Sequence, residues 1–214
     1  MLKYHDIEQN SDEWFNMRAA RLTSSKLGTV MANFGKAFGE PAKKYATEIA
    51  LERITGVPCS SNYQNEAMAR GHEEEPLARQ LYEQETFCDV ANGGFFCNEV
   101  IGCSPDGLVD ENGVIEIKSA VPSMHFSRIK KQSYDSAYKW QLIGNVKYTG
   151  REWIDFVSYC SAYPKDKRLY VFRLWADRLE QEFKMIDERV SEFLDLVGSC
   201  EATIKKSEYL IQEA

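Results

Sequence analysis

The chain lacks any run of apolar residues approaching the length of a membrane span. It has no internal repeat, no low-complexity tract and no Pro/Gly/Ser-rich stretch that reads as a linker. Its cysteines, Cys59, Cys88, Cys97, Cys103, Cys160 and Cys200, include no Cys-x-x-Cys pair and no histidine partners at zinc spacing. Reduced thiols are therefore expected rather than disulfides, zinc or an iron–sulfur cluster. The opening Met1-Leu-Lys-Tyr-His-Asp-Ile-Glu8 is not a signal peptide, which predicts a cytoplasmic protein with no membrane partner.

What is present suits a globular fold. The 214 residues are 43% apolar and 12% aromatic, enough for one domain spanning 1–214 with its own core. The net charge of −7 argues against a protein whose whole surface coats nucleic acid. The charge is unevenly spread. Residues 177–214 hold ten acids and five bases, whereas the other 176 hold 23 acids and 21 bases. A near-neutral body leaves room for a local basic groove.

The stretch richest in chemistry runs from Ser104-Pro-Asp-Gly107 to Glu116-Ile-Lys118. Asp110-Glu-Asn-Gly113 lies between, and Asn-Gly is a strong hairpin signal. Two strands are expected, about 99–109 and 113–118, folded back so that Asp106 approaches Glu116. Alternation puts Val114, Glu116 and Lys118 on one face and turns Ile115 and Ile117 into a core. Two close carboxylates repel, so a cation should compensate. Mg²⁺, a hard ion that takes oxygen ligands, suits them, and a lysine two residues on reaches the same cavity to position a water or neutralise a phosphate. A surface hairpin with a Glu/Lys pair has the same local sequence.

Before this stretch, Ser11-Asp-Glu-Trp-Phe-Asn-Met-Arg18 reads as a helix capped by Ser11. A second helix is expected over about 24–32. Hydroxyls at a helix start beside an arginine can hold an anion, or can simply be a cap and a surface arginine. In Phe34-Gly-Lys-Ala-Phe-Gly-Glu-Pro41 the two aromatics are either buried or a wedge at a duplex end. Pro41 opens a helix to about Thr55, ended by Gly56. Lys43, Lys44 and Arg53 are read as a solvated face. Residues 64–87 are helical, with a kink or a fresh start at Pro76. A strand pair is expected over 86–98 around Asn92-Gly-Gly94. Residues 124–131 form a short helix whose Arg128, Lys130 and Lys131 are the densest basic cluster, a candidate phosphate contact, with His125 a weaker one. Residues 134–147 are helical, 153–159 and 168–174 are strands, and the chain is helical from 177, with Gly198 a candidate end.

Several of these blocks, in this order, resemble the lambda exonuclease and YqaJ-type viral recombinase nucleases of the PD-(D/E)XK superfamily. They are Trp14-x3-Arg18-x6-Ser25, Gly71-x3-Glu75-Pro76, Cys103-Ser-Pro-Asp-Gly-Leu108, Glu116-Ile-Lys-Ser119 and Tyr138-Lys-Trp-Gln141, and the resemblance covers roughly residues 11–160. It implies an α/β restriction-endonuclease-like core, a central mixed β-sheet flanked by helices. It implies a Mg²⁺-dependent 5′→3′ exonuclease, with Mn²⁺ able to substitute, that degrades one strand of linear duplex DNA from 5′-phosphorylated ends, releases 5′-mononucleotides and leaves 3′ tails for strand annealing. Carried over by position, Asp106, Glu116, the Ile117 carbonyl and Glu75 would hold metal. Lys118 would activate or position the water, with Gln141 beside it. Arg18, Ser25 and Ser104 would hold the 5′-phosphate. Glu73 and Glu74 are neighbours that compete with Glu75, while His72 has no role in the pattern. Where the family often has a second glutamine, this chain has Ile143. The resemblance also implies a homotrimeric ring, a single-strand annealing protein as partner, and a phage or prophage gene expressed in a bacterial cytoplasm. A different endonuclease of the superfamily and a non-catalytic DNA-binding module are the alternatives.

Overall fold

The computed structural model describes residues 2–59 and 66–207. In chain order it comprises β1 (Lys3–His5), α1 (Asp12–Arg18), β2 (Leu22–Thr23), a 3-10 turn at Ser24–Lys26, α2 (Leu27–Met31), α3 (Glu40–Thr55), α4 (Glu66–Thr86), β3 (Val90–Asn92), β4 (Phe95–Cys97), β5 (Ile101–Cys103), β6 (Gly107–Val109), β7 (Gly113–Ser119), α5 (Pro122–Lys131), α6 (Lys139–Thr149), β8 (Trp153–Tyr159), β9 (Leu169–Trp175) and α7 (Glu180–Lys206). This is the mixed α/β architecture expected. Among the described residues no helix is long and apolar enough to cross a membrane.

The central sheet has the order β3-β6-β7-β8-β9. β7 and β8 run parallel and every other pair is antiparallel. A parallel pair needs a crossover, which α5 and α6 supply. The alternation along β7 is as expected, but both of its faces are covered. Val114 joins the larger core, packed with Leu142, Phe156 and the α7 residues Ile186, Val190 and Phe193. Ile115 and Ile117 join a second core with Ala78 and Tyr82 of α4. The glycine before this strand serves a close approach rather than a turn. A Cβ on Gly113 would lie 2.2 Å from the Trp153 ring, whereas the positive φ of the loop falls on Asp110.

Two strand expectations are corrected. Residues 99–109 are not one strand: β5 pairs with β4 and β2 in a second, four-stranded sheet, and β6 belongs to the central one. Pro105 has no N–H to continue a ladder, and pairing resumes where Asp106 N–H donates to Ile115 O at 3.0 Å. Nor do residues 86–98 form a hairpin, since β3 pairs with β6 and β4 with β1 and β5. At Gly93 the chain passes so close to Pro105 that a Cβ would fall 1.8 Å from its carbonyl oxygen. The two segments therefore change sheets side by side, and Asp106 stands at the junction.

Other elements follow simpler rules. Ser11 caps α1, its Oγ accepting from Trp14 N–H at 3.2 Å. Pro76 sits inside an unbroken α4, leaving residue 72 without its helical donor. Gly198 lies within α7, which continues to Lys206. The expected helix start at 64 falls outside the described residues. Phe34 and Phe38 pack against the larger core, Phe38 edge-on to Phe193, which removes the wedge reading. Lys43 and Lys44 pair with Glu40 and Glu48 on the surface of α3, whereas Arg53 reaches Glu201 of α7 at 3.0 Å.

The basic cluster on α5 divides. Lys130 and Lys131 are exposed, but Arg128 is only 1% exposed. Arg128 donates to Asp135 Oδ2 at 3.0 and 2.7 Å and to Ser158 Oγ at 2.9 Å, which holds the α5–α6 connection against β8. His125 is equally buried, between Ser158 Oγ and Lys167 O. Neither side chain is a phosphate contact. Arg128→Ala should lower stability by roughly 2–3 kcal/mol, since it removes hydrogen bonds to a charged group and leaves buried polar atoms unpaired. Lys131→Ala should stay within about 0.5 kcal/mol of the parent. Thermal denaturation of the two variants checks this, and equal melting temperatures would contradict it.

Candidate active site

The site is built on β7. Glu116 and Lys118 are two residues apart and share a face, and the Lys118 Nζ donates to Glu116 Oε1. Asp106 reaches them across the β6–β7 pairing: its Oδ2 accepts Ile117 N–H at 2.6 Å and stands 3.8 Å from Lys118 Nζ. Ile117 itself points into the second core, with its backbone N–H held by Asp106. Gln141, from the first turn of α6, donates its Nε2 to Glu116 Oε1. The ring of Tyr138, just ahead of α6, lies 5.6 Å from Lys118 Nζ.

α4 supplies the opposite wall. Glu75 and Asp106 line one cavity of about 220 Å³, together with His72 and Arg79. The three adjacent glutamates are thereby separated by where they point. Glu74 accepts from Ser119 Oγ and Ser161 Oγ, Glu73 is exposed, and Glu75 faces Asp106. Arg79, one turn further along α4, donates to the Asp106 carbonyl and lies 3.9 Å from Glu75 Oε1.

Charge is concentrated here. Burial, then the charge of Asp106, pushes the Glu75 carboxyl up to about 7, against the pull of Arg79 and Lys118. Burial and Asp106 push Glu116 up as well, with Lys118 opposing. Burial pulls the Lys118 ammonium down, but Glu116 and Asp106 outweigh it, and the group stays above the ordinary lysine range. Among the described residues no three His, Cys, Asp or Glu side chains already stand as a metal cage. The ammonium of Lys118 instead lies against two of the carboxylates. The donor set nevertheless fits a hard divalent ion. Burial and the charge of Asp106 oppose the ionisation of Glu75 and Glu116, and all three carboxylates offer oxygen.

A second cluster adjoins the first through the backbone of Ser104 and Pro105. Arg18 donates to Ser25 Oγ at 3.3 Å, and its guanidinium stacks 4.1 Å from the Trp14 ring centroid. Burial lowers the Arg18 pKa, yet a guanidinium starts high enough to remain charged. Trp14 Nε1 donates to Ser104 Oγ at 3.0 Å, and that hydroxyl donates to Gly94 O at 2.6 Å. Arg18 and Ser25 therefore meet as expected. Ser104 sits beside them with its proton directed at Gly94, so it offers an anion no free donor until the hydroxyl turns.

The family model described as the YqaJ-like viral recombinase domain matches residues 13–152, which carry every residue of both clusters. The chain belongs to this family. Among solved structures, the alkaline exonuclease LHK-Exo from Laribacter hongkongensis is 34% identical with a TM-score of 0.79, over 92% of this chain and 97% of that one. Its complex with dAMP is similar to the same degree. A phage-related exonuclease from Haemophilus somnus 129PT shares the fold, with a TM-score of 0.67 at 18% identity over 90% and 99% of the two chains. No curated protein matches the chain.

Two residues of the site were not found in the sequence, Arg79 and Asn145. Asn145 donates its Nδ2 to Glu116 Oε2 at 2.8 Å. Both are polar residues on helices, four positions beyond Glu75 and Gln141, and that i,i+4 spacing was the available signal. Glu75→Gln should weaken Mn²⁺ binding at least tenfold, the scale on which even changes outside the ligand set act, and Glu73→Gln should leave it unchanged. Calorimetric titration of the two variants tests the assignment. Equal affinities would remove Glu75 from the site.

Proposed function

We propose that the protein, acting as one nuclease domain over 1–214, is a Mg²⁺-dependent 5′→3′ exonuclease. It degrades one strand of linear duplex DNA from 5′-phosphorylated ends and leaves 3′ single-stranded tails for recombination by strand annealing. The observation that carries this reading is the adjacency of the two clusters. Asp106, in contact with Lys118 and with the backbone between Glu116 and Lys118, stands two residues along the chain from Ser104, which Trp14 ties to Arg18 and Ser25. An anion held at Arg18 and Ser25 sets a terminal phosphate at a fixed distance from the hydrolytic groups, and this gives a reason for dependence on ends. The 34% identity to an alkaline exonuclease, also known as a complex with dAMP, supports hydrolysis to 5′-mononucleotides.

Asp106, Glu116 and Glu75 would hold the ion, with the Ile117 carbonyl as a further oxygen. Bound Mg²⁺ (or Mn²⁺) supplies Lewis acidity and lowers the pKa of water. The protein's own groups do the rest. Lys118, held as an ammonium, donates towards the attacking water and towards the charge that develops on the phosphate oxygens. Gln141 restrains Glu116 and so fixes where Lys118 points. Arg18 and Ser25 bind the 5′-phosphate, and Ser104 joins them once its hydroxyl turns from Gly94. The exposed Lys130 and Lys131 would follow the duplex backbone. The resemblance extends the reading to a homotrimeric ring, an annealing-protein partner and a phage gene product working in a bacterial cytoplasm.

The test compares linear duplex bearing 5′-phosphates with covalently closed circles, in Mg²⁺. Digestion confined to linear DNA is expected, with Lys118→Ala lowering kcat by about 10²–10³, as for loss of a transition-state donor. Cleavage of circles would turn the reading to an endonuclease, and binding without cleavage to a DNA-binding module. On linear DNA, Arg18→Ala should bring the rates on 5′-phosphate and 5′-hydroxyl ends together. A preference that survives the substitution would remove Arg18 from phosphate recognition.

A further inference from the structure

Glu116 carries a third hydrogen-bond donor that the Tyr138-x-x-Gln141 motif does not include. Asn145 lies one turn beyond Gln141, on the face of α6 turned to β7. Its Nδ2 donates to Glu116 Oε2 at 2.8 Å, while Lys118 and Gln141 share Oε1. Asn145 and Glu116 are each 1% exposed. Its neighbours Leu142, Ile143 and Val146 are buried and apolar. The Asn145 Oδ1 is also shielded from solvent and has no partner. An orphaned buried acceptor is destabilising, and asparagine is a poor residue for a helix interior. Asn145 thus leaves its own acceptor unpaired while it satisfies Glu116.

We propose that Asn145 is a positioning residue of the cation site. By holding Oε2 it prevents the Glu116 carboxylate from rotating and presents Oε1 to Lys118, Gln141 and the bound ion. This deepens the metal-dependent nuclease reading and rests on it. Outer hydrogen bonds to ligating groups typically govern metal affinity or activity by about 10–100-fold.

The test uses the full chain and its Asn145→Leu variant, measuring the melting temperature without metal, Mn²⁺ binding by calorimetry, and the Mg²⁺ dependence of linear-duplex digestion. The expected result is a folded variant whose Mn²⁺ Kd and half-saturating Mg²⁺ concentration are both raised at least tenfold. A purely structural role would lower the melting temperature and leave both titrations unchanged, and that outcome overturns the proposal. If Asn145→Leu does not fold, Asn145→Ala, which adds no bulk, is read by the same two titrations with the same decision. A parent protein that binds Mn²⁺ but digests no DNA refutes the nuclease reading while calorimetry still decides the role of Asn145. A parent that binds no Mn²⁺ overturns both.

Discussion

A carboxylate with 1% exposure in the middle of a sheet is the constraint on which the rest depends. Glu116 cannot remain ionised there without donors, because a buried charge is tolerated only when paired and hydrogen-bonded. Lys118 comes from its own strand by alternation. Gln141 and Asn145 come from α6, one turn apart, so α6 has to lie against β7. It lies equally close to the turn at Ser24–Lys26. A Cβ on Gly144 would meet Leu27 Cδ1 at 2.4 Å and Ser24 Oγ at 2.9 Å, so only glycine permits the approach. One helix thus supports the Glu116 carboxylate on one side and the segment bearing Ser25 on the other, which ties the two side-chain clusters together.

The second organising feature is the change of sheet at Asp106. The break between β5 and β6 turns Ser104 towards Trp14 and Asp106 towards Glu116 and Glu75 within three residues. Arg79 fixes this corner from α4 through the Asp106 carbonyl. The protein is acidic overall, and its centre is an accumulation of carboxylates with one lysine among them. On the proposed function, a divalent ion there would add the local positive charge that a chain of net charge −7 needs to meet DNA.

Much of this was legible in the sequence where short-range rules apply. The alternation that pairs Glu116 with Lys118, the Ser11 cap, the strands read at 153–159 and 168–174, and the helical stripe of α7 all follow from short-range rules. The resemblance added Glu75, Gln141, Arg18 and Ser25, and the geometry brings these into two adjoining clusters. What was misread depends on distant partners. Nothing near Pro105 says that Gly93 passes over it, so β3 and β4 looked like a hairpin and 99–109 like one strand. Arg128 reads as part of a basic patch until Asp135 and Ser158 are seen to bury it. Gly198 looks like a helix end because a helix can stop at glycine, yet packing against α3 carries α7 through it. Asn145 looked like an ordinary helix residue because the carboxylate it holds is 29 positions away.

The central claim is that Asp106, Glu116 and Glu75 form one cation site under the control of Lys118 and α6. Anomalous diffraction from a crystal grown with Mn²⁺ tests it most directly. The account predicts a metal peak among these three carboxylates, with Lys118 Nζ withdrawn from at least one of them. A protein whose Mn²⁺ peaks lie elsewhere while Lys118 remains bonded to Glu116 would contradict it.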